Sequence, residues 1–196
     1  TGTSSGYYGV ATLTQCLYSG IGPQREELTA SYIGGGIGNS VSDYSSAILG
    51  GCLNSIFFET KGELVKQIGL NSISAGSCNY INSGQYSSIS SGYCNGISGS
   101  FQNFIGAGVR NCITTNSGQS GILSGADNTL VSAPVSSISG GADNSITVPY
   151  GFIGGGQSNT ISNPFSGILS GQNNVVSQQF SGILNGYLNN NNHCFS

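Results

Sequence analysis

The sequence predicts an all-β fold, a parallel β-solenoid of about ten coils with roughly 15–17 residues each. The first observation is a motif of Ile, Gly three residues later and Asn six residues later, which occurs ten times. The second is its near-constant spacing, which is too short for a helical-hairpin repeat. Only the step from Ile48 to Ile73 is longer. The third is composition: 33 of 196 residues are Gly, and Gly, Ser and Asn are poor helix formers.

The motif is fixed at three positions and nearly fixed at a fourth. The Ile residues are Ile33, Ile48, Ile73, Ile89, Ile105, Ile122, Ile138, Ile153, Ile168 and Ile183. The Gly residues are Gly36, Gly51, Gly76, Gly92, Gly108, Gly125, Gly141, Gly156, Gly171 and Gly186. The Asn residues are Asn39, Asn54, Asn79, Asn95, Asn111, Asn128, Asn144, Asn159, Asn174 and Asn189. Two residues after the Asn, nine motifs carry an aliphatic residue, and the last carries Asn191.

Each coil is predicted to contain two strands, a turn and a loop, in a fixed order. The first strand is centred on the Ile, and the Gly marks a turn that needs a positive φ or a close backbone approach. The second strand carries the Asn and the later aliphatic residue, and the loop after it absorbs the variation in length. We expect the Asn amides to form a ladder that bonds to neighbouring coils and to turn backbone. Ten coils at ~4.8 Å each predict a rod of roughly 50 Å.

The residues directly before and after the Ile point to the opposite face of its strand. In seven coils one of the two is large and the other is small, and in three coils both are Ser. The large residues are Tyr32, Leu49, Phe104, Leu123, Phe152, Leu169 and Leu184, and the small ones are Gly34, Ala47, Gly106, Gly121, Gly154, Gly167 and Gly182. A volume rule is typical of a packed face. The thin core of each coil also offers little to offset the entropy of ordering its chain. We therefore expect these large residues to pack in a homotrimer, while a dimer or a monomer remains an alternative.

Charge and cysteine spacing exclude several classes of function. The net charge is −3 with 4 Lys and Arg residues, which does not suit a nucleic acid or an anionic membrane as partner. No apolar run approaches the ~20 residues that cross a bilayer, so no membrane insertion is expected. The six Cys form no CxxC pair, so no zinc site is predicted. Cys78 and Cys94 occupy equivalent positions in adjacent coils, but their parallel side chains would strain a disulfide, and we expect free or partly buried thiols.

The sequence offers little support for catalysis, and we predict no enzyme, no cofactor and no metal. The single His, His193, has no catalytic partner near it in the sequence. The acidic residues are scattered, which disfavours a polysaccharide-cleaving site. Asp127 and Asp143 stand at equivalent positions one coil apart, with Arg110 one coil earlier, and we expect an exposed ladder in which Arg110 pairs with Asp127. An ice-binding solenoid is a further alternative, but the variation beside the Ile breaks the regular face that it needs.

The run Ser136-Ser137-Ile138-Ser139-Gly140-Gly141-Ala142-Asp143-Asn144-Ser145-Ile146 resembles the Gly- and Ser-rich head repeats of trimeric autotransporter adhesins. It resembles repeats in the fibres of bacteriophages and giant viruses more closely. The resemblance covers about residues 30–196, although the adhesin repeat is slightly shorter and richer in Ala. It implies a left-handed parallel β-roll trimer with a role in surface adhesion.

The resemblance also implies a function, a location and partners. We expect a structural fibre on a virion surface, extracellular, with a role in host attachment; a bacterial trimeric adhesin head is the alternative. The partners would be sister chains, other virion proteins at the N-terminal side, and a glycan or protein receptor on the host. Many such fibres continue into an endosialidase-type chaperone that cuts itself off after a Ser, which implies Ser196 as the end left by that cut.

Two segments lack the motif. Residues 1–29 are interpreted as an N-terminal cap or the junction to a virion anchor, and residues 57–68 as an insertion loop in the solenoid of residues 30–196. Together they contain seven of the eleven charged residues.

Overall fold

A computed structural model describes residues 31–43, 45–57 and 69–192. These residues form a parallel β-solenoid of about nine turns of ~16 residues each, with no helix among them. The predicted fold class is confirmed. The proposed N-terminal segment (residues 1–29), most of the insertion, His193 and Ser196 lie outside the described residues.

Twenty short strands form two parallel ten-stranded sheets, and the chain alternates between them. The first sheet, which carries the core Ile of every motif, consists of β1 (Tyr32–Ile33), β3 (Ala47–Ile48), β5 (Ser72–Ile73), β7 (Ser88–Ile89), β9 (Phe104–Ile105), β11 (Gly121–Ile122), β13 (Ser137–Ile138), β15 (Gly151–Ile153), β17 (Ser166–Ile168) and β19 (Gly182–Ile183). The second sheet consists of β2 (Ser40–Val41), β4 (Ser55–Phe57), β6 (Tyr80–Asn82), β8 (Gly96–Ser98), β10 (Cys112–Thr114), β12 (Thr129–Val131), β14 (Ser145–Ile146), β16 (Thr160–Ile161), β18 (Val175–Val176) and β20 (Asn190–Asn191).

Identical positions of successive coils lie in register, so the core is two stacks of aliphatic side chains. Ile48 pairs with Ile33 and Ile73 in the first sheet, and Ile56 pairs with Val41 and Ile81 in the second. The core Ile of the first sheet are buried at every coil, as are the aliphatic residues of the second sheet from Ile56 to Val176. Both predicted strands and their inward-facing residues are confirmed.

A third side of the coil is a ladder of single bridge residues, one after each motif Gly. It runs from the pair Ile37 and Cys52 to the pair Gln172 and Tyr187. The cross-section therefore has three sides around a narrow core.

The extra residues between the second and third coils leave both sheets continuous. Ile48 and Ile73 are separated by the longest step in the repeat, yet β3 and β5 pair in unshifted register. β4 and β6 likewise keep the pairing of Ile56 with Ile81. The strands on either side of the insertion thus stack as they do in the other coils.

The motif Gly and Asn play the roles that the sequence predicts. Gly36 has φ +97°, and a Cβ there would collide with the carbonyl oxygen of Gly51 and lie 2.6 Å from Asn39 Nδ2. Asn54 Nδ2 donates to the carbonyl oxygens of Gly50 in its own coil (3.1 Å) and Gly76 in the next (2.9 Å). The positive φ of the Gly and the Asn ladder are both confirmed.

A second polar ladder, which the sequence reasoning missed, lies two residues before the core Ile in nine of the ten coils, and Gly151 holds that position in the eighth. Its members are buried Ser and Asn residues whose side-chain oxygen accepts a hydrogen bond from the next coil. For example, Ser87 N–H donates to Asn71 Oδ1 (3.0 Å), and Ser136 N–H donates to Ser120 Oγ (3.2 Å). The two ladders satisfy buried backbone donors on both sides of the core.

Two corners of the coil hold residues with φ near +55°, and among the described residues at these corners only Gly38 is a glycine. Leu53 has φ +54° and Val135 has φ +56°. This conformation is uncommon for any residue other than Gly, and rarest for a β-branched residue such as Val135. At these corners the N–H points back to the preceding coil: Leu53 N–H donates to Ile37 O (2.8 Å), whereas Cys52 N–H donates forward to Gly76 O (2.9 Å). The left-handed backbone thus lets one coil bond to both neighbours, and we infer that these hydrogen bonds offset its strain.

Candidate interaction surface

The large residues beside the core Ile lie on the outer face of the first sheet and are exposed. Tyr32, Leu49, Phe104, Leu123, Phe152, Leu169 and Leu184 are between 38% and 79% exposed in the single chain. Their strands turn the Ile inward and these side chains outward, as the two-residue alternation requires. The face is therefore available to a partner.

The pairing of large with small residues has a cause within one chain at three coils. A Cβ at Gly34, Gly106 or Gly154 would collide with the carbonyl oxygen of the Leu in the next coil. At Gly106 it would also lie 3.4 Å from the Phe104 ring. The pairing of large with small residues therefore does not by itself require a partner chain. The exposure of the large residues is the stronger support for one.

The outer face of the first sheet is divided into bands along the rod. Coils one and two, five and six, and eight to ten carry a large apolar residue there. Coils three, four and seven carry Ser on both sides of the Ile, at Ser72, Ser74, Ser88, Ser90, Ser137 and Ser139. Apolar coils and Ser coils thus follow one another in a fixed order along the rod. A second copy of the chain can align with that order or be shifted against it.

A corner column, three residues before the core Ile, extends the apolar surface. Its exposed apolar members are Leu70, Tyr86, Val135, Tyr150, Phe165 and Phe180. In the fifth and sixth coils the column holds exposed Gln102 and Gln119 instead. The Tyr150 and Phe165 rings stack with centroids 4.6 Å apart, and Phe165 and Phe180 stack at 5.2 Å. Stacking leaves ring edges rather than faces outward, which does not suit a platform for sugar rings. The sequence reasoning did not find this column.

No charged side chain belongs to the outer face or to the corner column in the described chain. The described part of the chain contains four charged residues. Asp43 is buried, and Arg110, Asp127 and Asp143 stand at another corner. Apolar surface without charges is the composition expected at the centre of an interface between proteins.

The predicted pairing of Arg110 with Asp127 is confirmed. Arg110 Nε donates to Asp127 Oδ1 (2.7 Å) and Arg110 Nη2 donates to Asp127 Oδ2 (2.6 Å), a two-bond arrangement across adjacent coils. The hydrogen bond and the positive charge of Arg110 lower the pKa of Asp127, and the carboxylate raises the pKa of Arg110. Both side chains are solvent-exposed, so the ion pair contributes little to the free energy of unfolding.

The four described cysteines, Cys52, Cys78, Cys94 and Cys112, are free and partly buried, as predicted. Burial raises the pKa of Cys112, and burial together with the neighbouring Cys112 thiol raises the pKa of Tyr80. The Tyr80 ring lies over Gly96, where a Cβ would collide with it. These groups pack the outer face of the second sheet.

The described residues hold no cluster of three or more His, Cys, Asp or Glu that could bind a metal ion. The same residues contain no helix able to cross a membrane. The candidate cleavage residue Ser196 is outside them.

Comparison with known proteins gives no relative: no family model matches the chain, and no curated protein matches it.

Proposed function

We propose that the chain is a structural fibre segment, a rigid rod that assembles as a parallel homotrimer and acts in attachment on a virion surface. The observation that carries the proposal is the uncharged apolar outer face, exposed in coils along the whole rod. Exposed apolar surface of this extent is uncommon on a monomer and typical of an interaction site. The resemblance of the repeat to viral and phage fibres supports the location.

A second copy of the same chain is the partner that the face fits. Only a rod with the same coil-to-coil spacing can keep side chains in contact with this face over ten coils. In a parallel, in-register arrangement every apolar coil meets an apolar coil and every Ser coil meets a Ser coil. A shift by one coil would oppose unlike coils at four of nine layers, and an antiparallel arrangement would do so at two of ten.

Assembly would also supply buried apolar surface, of which a single coil has little. A coil offers about two buried aliphatic residues against the entropy of ordering its whole chain. Burying the Phe and Leu side chains of the outer face adds roughly 25 cal/mol for each Å² of apolar surface removed from water. The trimer is therefore proposed as the stable form of the rod.

Sedimentation equilibrium of the full chain tests the assembly. We expect a species with three times the 19.9 kDa mass of one chain. The double variant Leu123→Asp/Leu169→Asp should sediment as a monomer, because it places carboxylates in the buried layer. Leu53→Asp is the control, since Leu53 is equally exposed but lies at a corner outside the outer face of the first sheet. A species with the mass of a single chain, found for the unaltered protein, would refute the trimer.

Immunogold labelling of the organism that produces the chain tests the location. An antibody against the rod should decorate virus particles. Label on the bacterial envelope would support the adhesin alternative instead, and label confined to the cell interior would contradict both.

A further inference from the structure

The corner between the loop and the first sheet follows a regular hydrogen-bond pattern. In five coils the side chain two residues before the core Ile donates to the carbonyl oxygen five residues before the core Ile of the next coil. Ser120 Oγ donates to Ala133 O (2.7 Å), and Asn71 Nδ2 donates to Gly84 O (2.7 Å). The same bond recurs from Ser31, Ser136 and Ser166. Ser87 Oγ instead donates to Gln85 O in its own coil (3.1 Å).

The pattern fails at Asn103. Its Oδ1 accepts from Ser120 N–H (3.0 Å), so the bond from the backbone of the next coil to the ladder side chain is present. Its Nδ2, in a side chain that is 2% exposed, has no hydrogen-bond partner among the described residues. The acceptor that the pattern assigns to this Nδ2 is the carbonyl oxygen of Ser117.

A second buried atom in the same corner is also without a partner. Ser100 Oγ is buried and makes no hydrogen bond within the described chain. Its equivalent one coil later, Ser117 Oγ, accepts from Ala133 N–H (3.1 Å). By the same pattern the donor for Ser100 Oγ would be Ser117 N–H. Both unpaired atoms therefore lack the same partner, the backbone of Ser117.

The length of the coil explains why Ser117 is out of reach. The step from Ile105 to Ile122 is the longest between successive core Ile residues, apart from the step that contains the insertion. The extra residue lies just before Ser117: Thr114 pairs with Val131, but two residues separate Thr114 from Ser117 and only one separates Val131 from Ala133. We infer that this added residue holds the Ser117 backbone away from the positions that shorter coils use.

We propose that this corner is a binding site for one buried water molecule. The water would accept from Asn103 Nδ2 and Ser117 N–H and donate to Ser100 Oγ and Ser117 O, which uses all four of its hydrogen-bonding positions. Buried waters with two to four such partners are a normal part of protein cores. The Phe101 ring lies beside the corner, 2.7 Å from where a Cβ on Gly118 would be, and both Ser100 and Asn103 are buried.

A crystal structure of the full chain, at a resolution that shows ordered waters, tests the site directly. We expect one spherical density peak within hydrogen-bonding distance of Asn103 Nδ2 and Ser100 Oγ. A corner with no density there, or an Asn103 side chain bonded directly to Ser117 O, would overturn the proposal.

The sign of a stability change gives an independent test. If the water is bound, Ser100→Ala removes one of its partners and should lower Tm by roughly 2–4 °C. If the site is dry, the same change removes a buried unpaired hydroxyl and should raise Tm, which would refute the proposal. Ser117→Ala is the control and should lower Tm in either case, because its hydroxyl already bonds to Ala133 N–H.

Discussion

At the scale of single residues, the ladder Asn is the side chain on which the coil depends most. The two N–H groups of Asn159 Nδ2 are shared among Asn144 Oδ1 (3.0 Å), Gly155 O (3.2 Å) and Gly171 O (2.9 Å). Its Oδ1 accepts from the backbone and side chain of Asn174. One amide thus links three coils, which explains why no other residue replaces Asn at this position in ten motifs.

We predict that Asn159→Ala lowers the free energy of unfolding by about 3 kcal/mol or more, because it leaves several buried groups without partners. Denaturant unfolding at fixed protein concentration measures the change. Gln157→Ala, at an exposed position of the same coil, should stay within about 0.5 kcal/mol of the unaltered chain. Similar losses for the two variants would contradict the role given to the ladder.

The pair of Arg110 and Asp127 predicts a pH dependence with a definite sign. Because the pKa of Asp127 is lowered in the folded state, its stabilising contribution is complete above the pKa of an unfolded Asp and is lost as pH falls through the folded value. NMR titration of the Asp127 carboxyl should give a midpoint below the ordinary range of Asp. Arg110→Gln should return the midpoint to that range, and high salt should do so in part. An unchanged midpoint in the variant would show that Arg110 is not the cause.

Individual residues also show what the sequence could predict. Ile33, Gly36 and Asn39 were assigned correctly because each is the only residue type that fills its role in every coil. The second polar ladder escaped notice because its position holds Ser in seven coils, Asn in two and Gly151 in one. What the Ser and Asn share is an acceptor oxygen rather than a residue type. The pairing of Arg110 with Asp127 followed from their equivalent positions in adjacent coils.

At the scale of elements, the strands followed from the repeat, but the corners did not. Leu70, Gln102, Val135 and Phe165 share φ values near +50° although their side chains have little in common. Backbone bonds to neighbouring coils accompany that conformation, so the sequence carries no local signal for it. For the same reason the stacked rings of Tyr150 and Phe165 could not be foreseen.

The outer face of the first sheet offers a matched pair of glycines as a test. In the coil of β9, Gly106 directly follows the strand, and an added Cβ would collide with Leu123 O; at Gly121, in β11, the nearest atom would be 3.6 Å away. We predict that Gly106→Ala destabilises the fold by about 1–3 kcal/mol, whereas Gly121→Ala has little effect. Thermal unfolding of the two variants decides between them. Equal stability would mean that the coils are not as closely spaced as described.

At the scale of the whole molecule, the coils are nearly interchangeable modules. Removal of residues 167–181 deletes one whole coil and joins Ser166 to Gly182, which restores the pattern of the coil removed. We predict that the shortened chain folds and that its rod is shorter by ~4.8 Å, which small-angle scattering can detect.

The control for this deletion removes only residues 167–180 and so shifts every later side chain by one position. That shift would turn Ile183 from the core to the outside, so the last coil should lose its structure. Circular dichroism should report less β-structure than in the whole-coil deletion. Equal folding of both variants would contradict the in-register stacking.

The hydrogen bonds between coils also have a mechanical consequence, because nearly all of them run along the rod. Pulling on the ends of one chain would load the outermost coil first and peel it from its neighbour while the inner coils stayed closed. Each coil would release about 50 Å of extended chain. The rod would therefore yield to tension in small, equal steps and absorb a sudden load without failing as a unit.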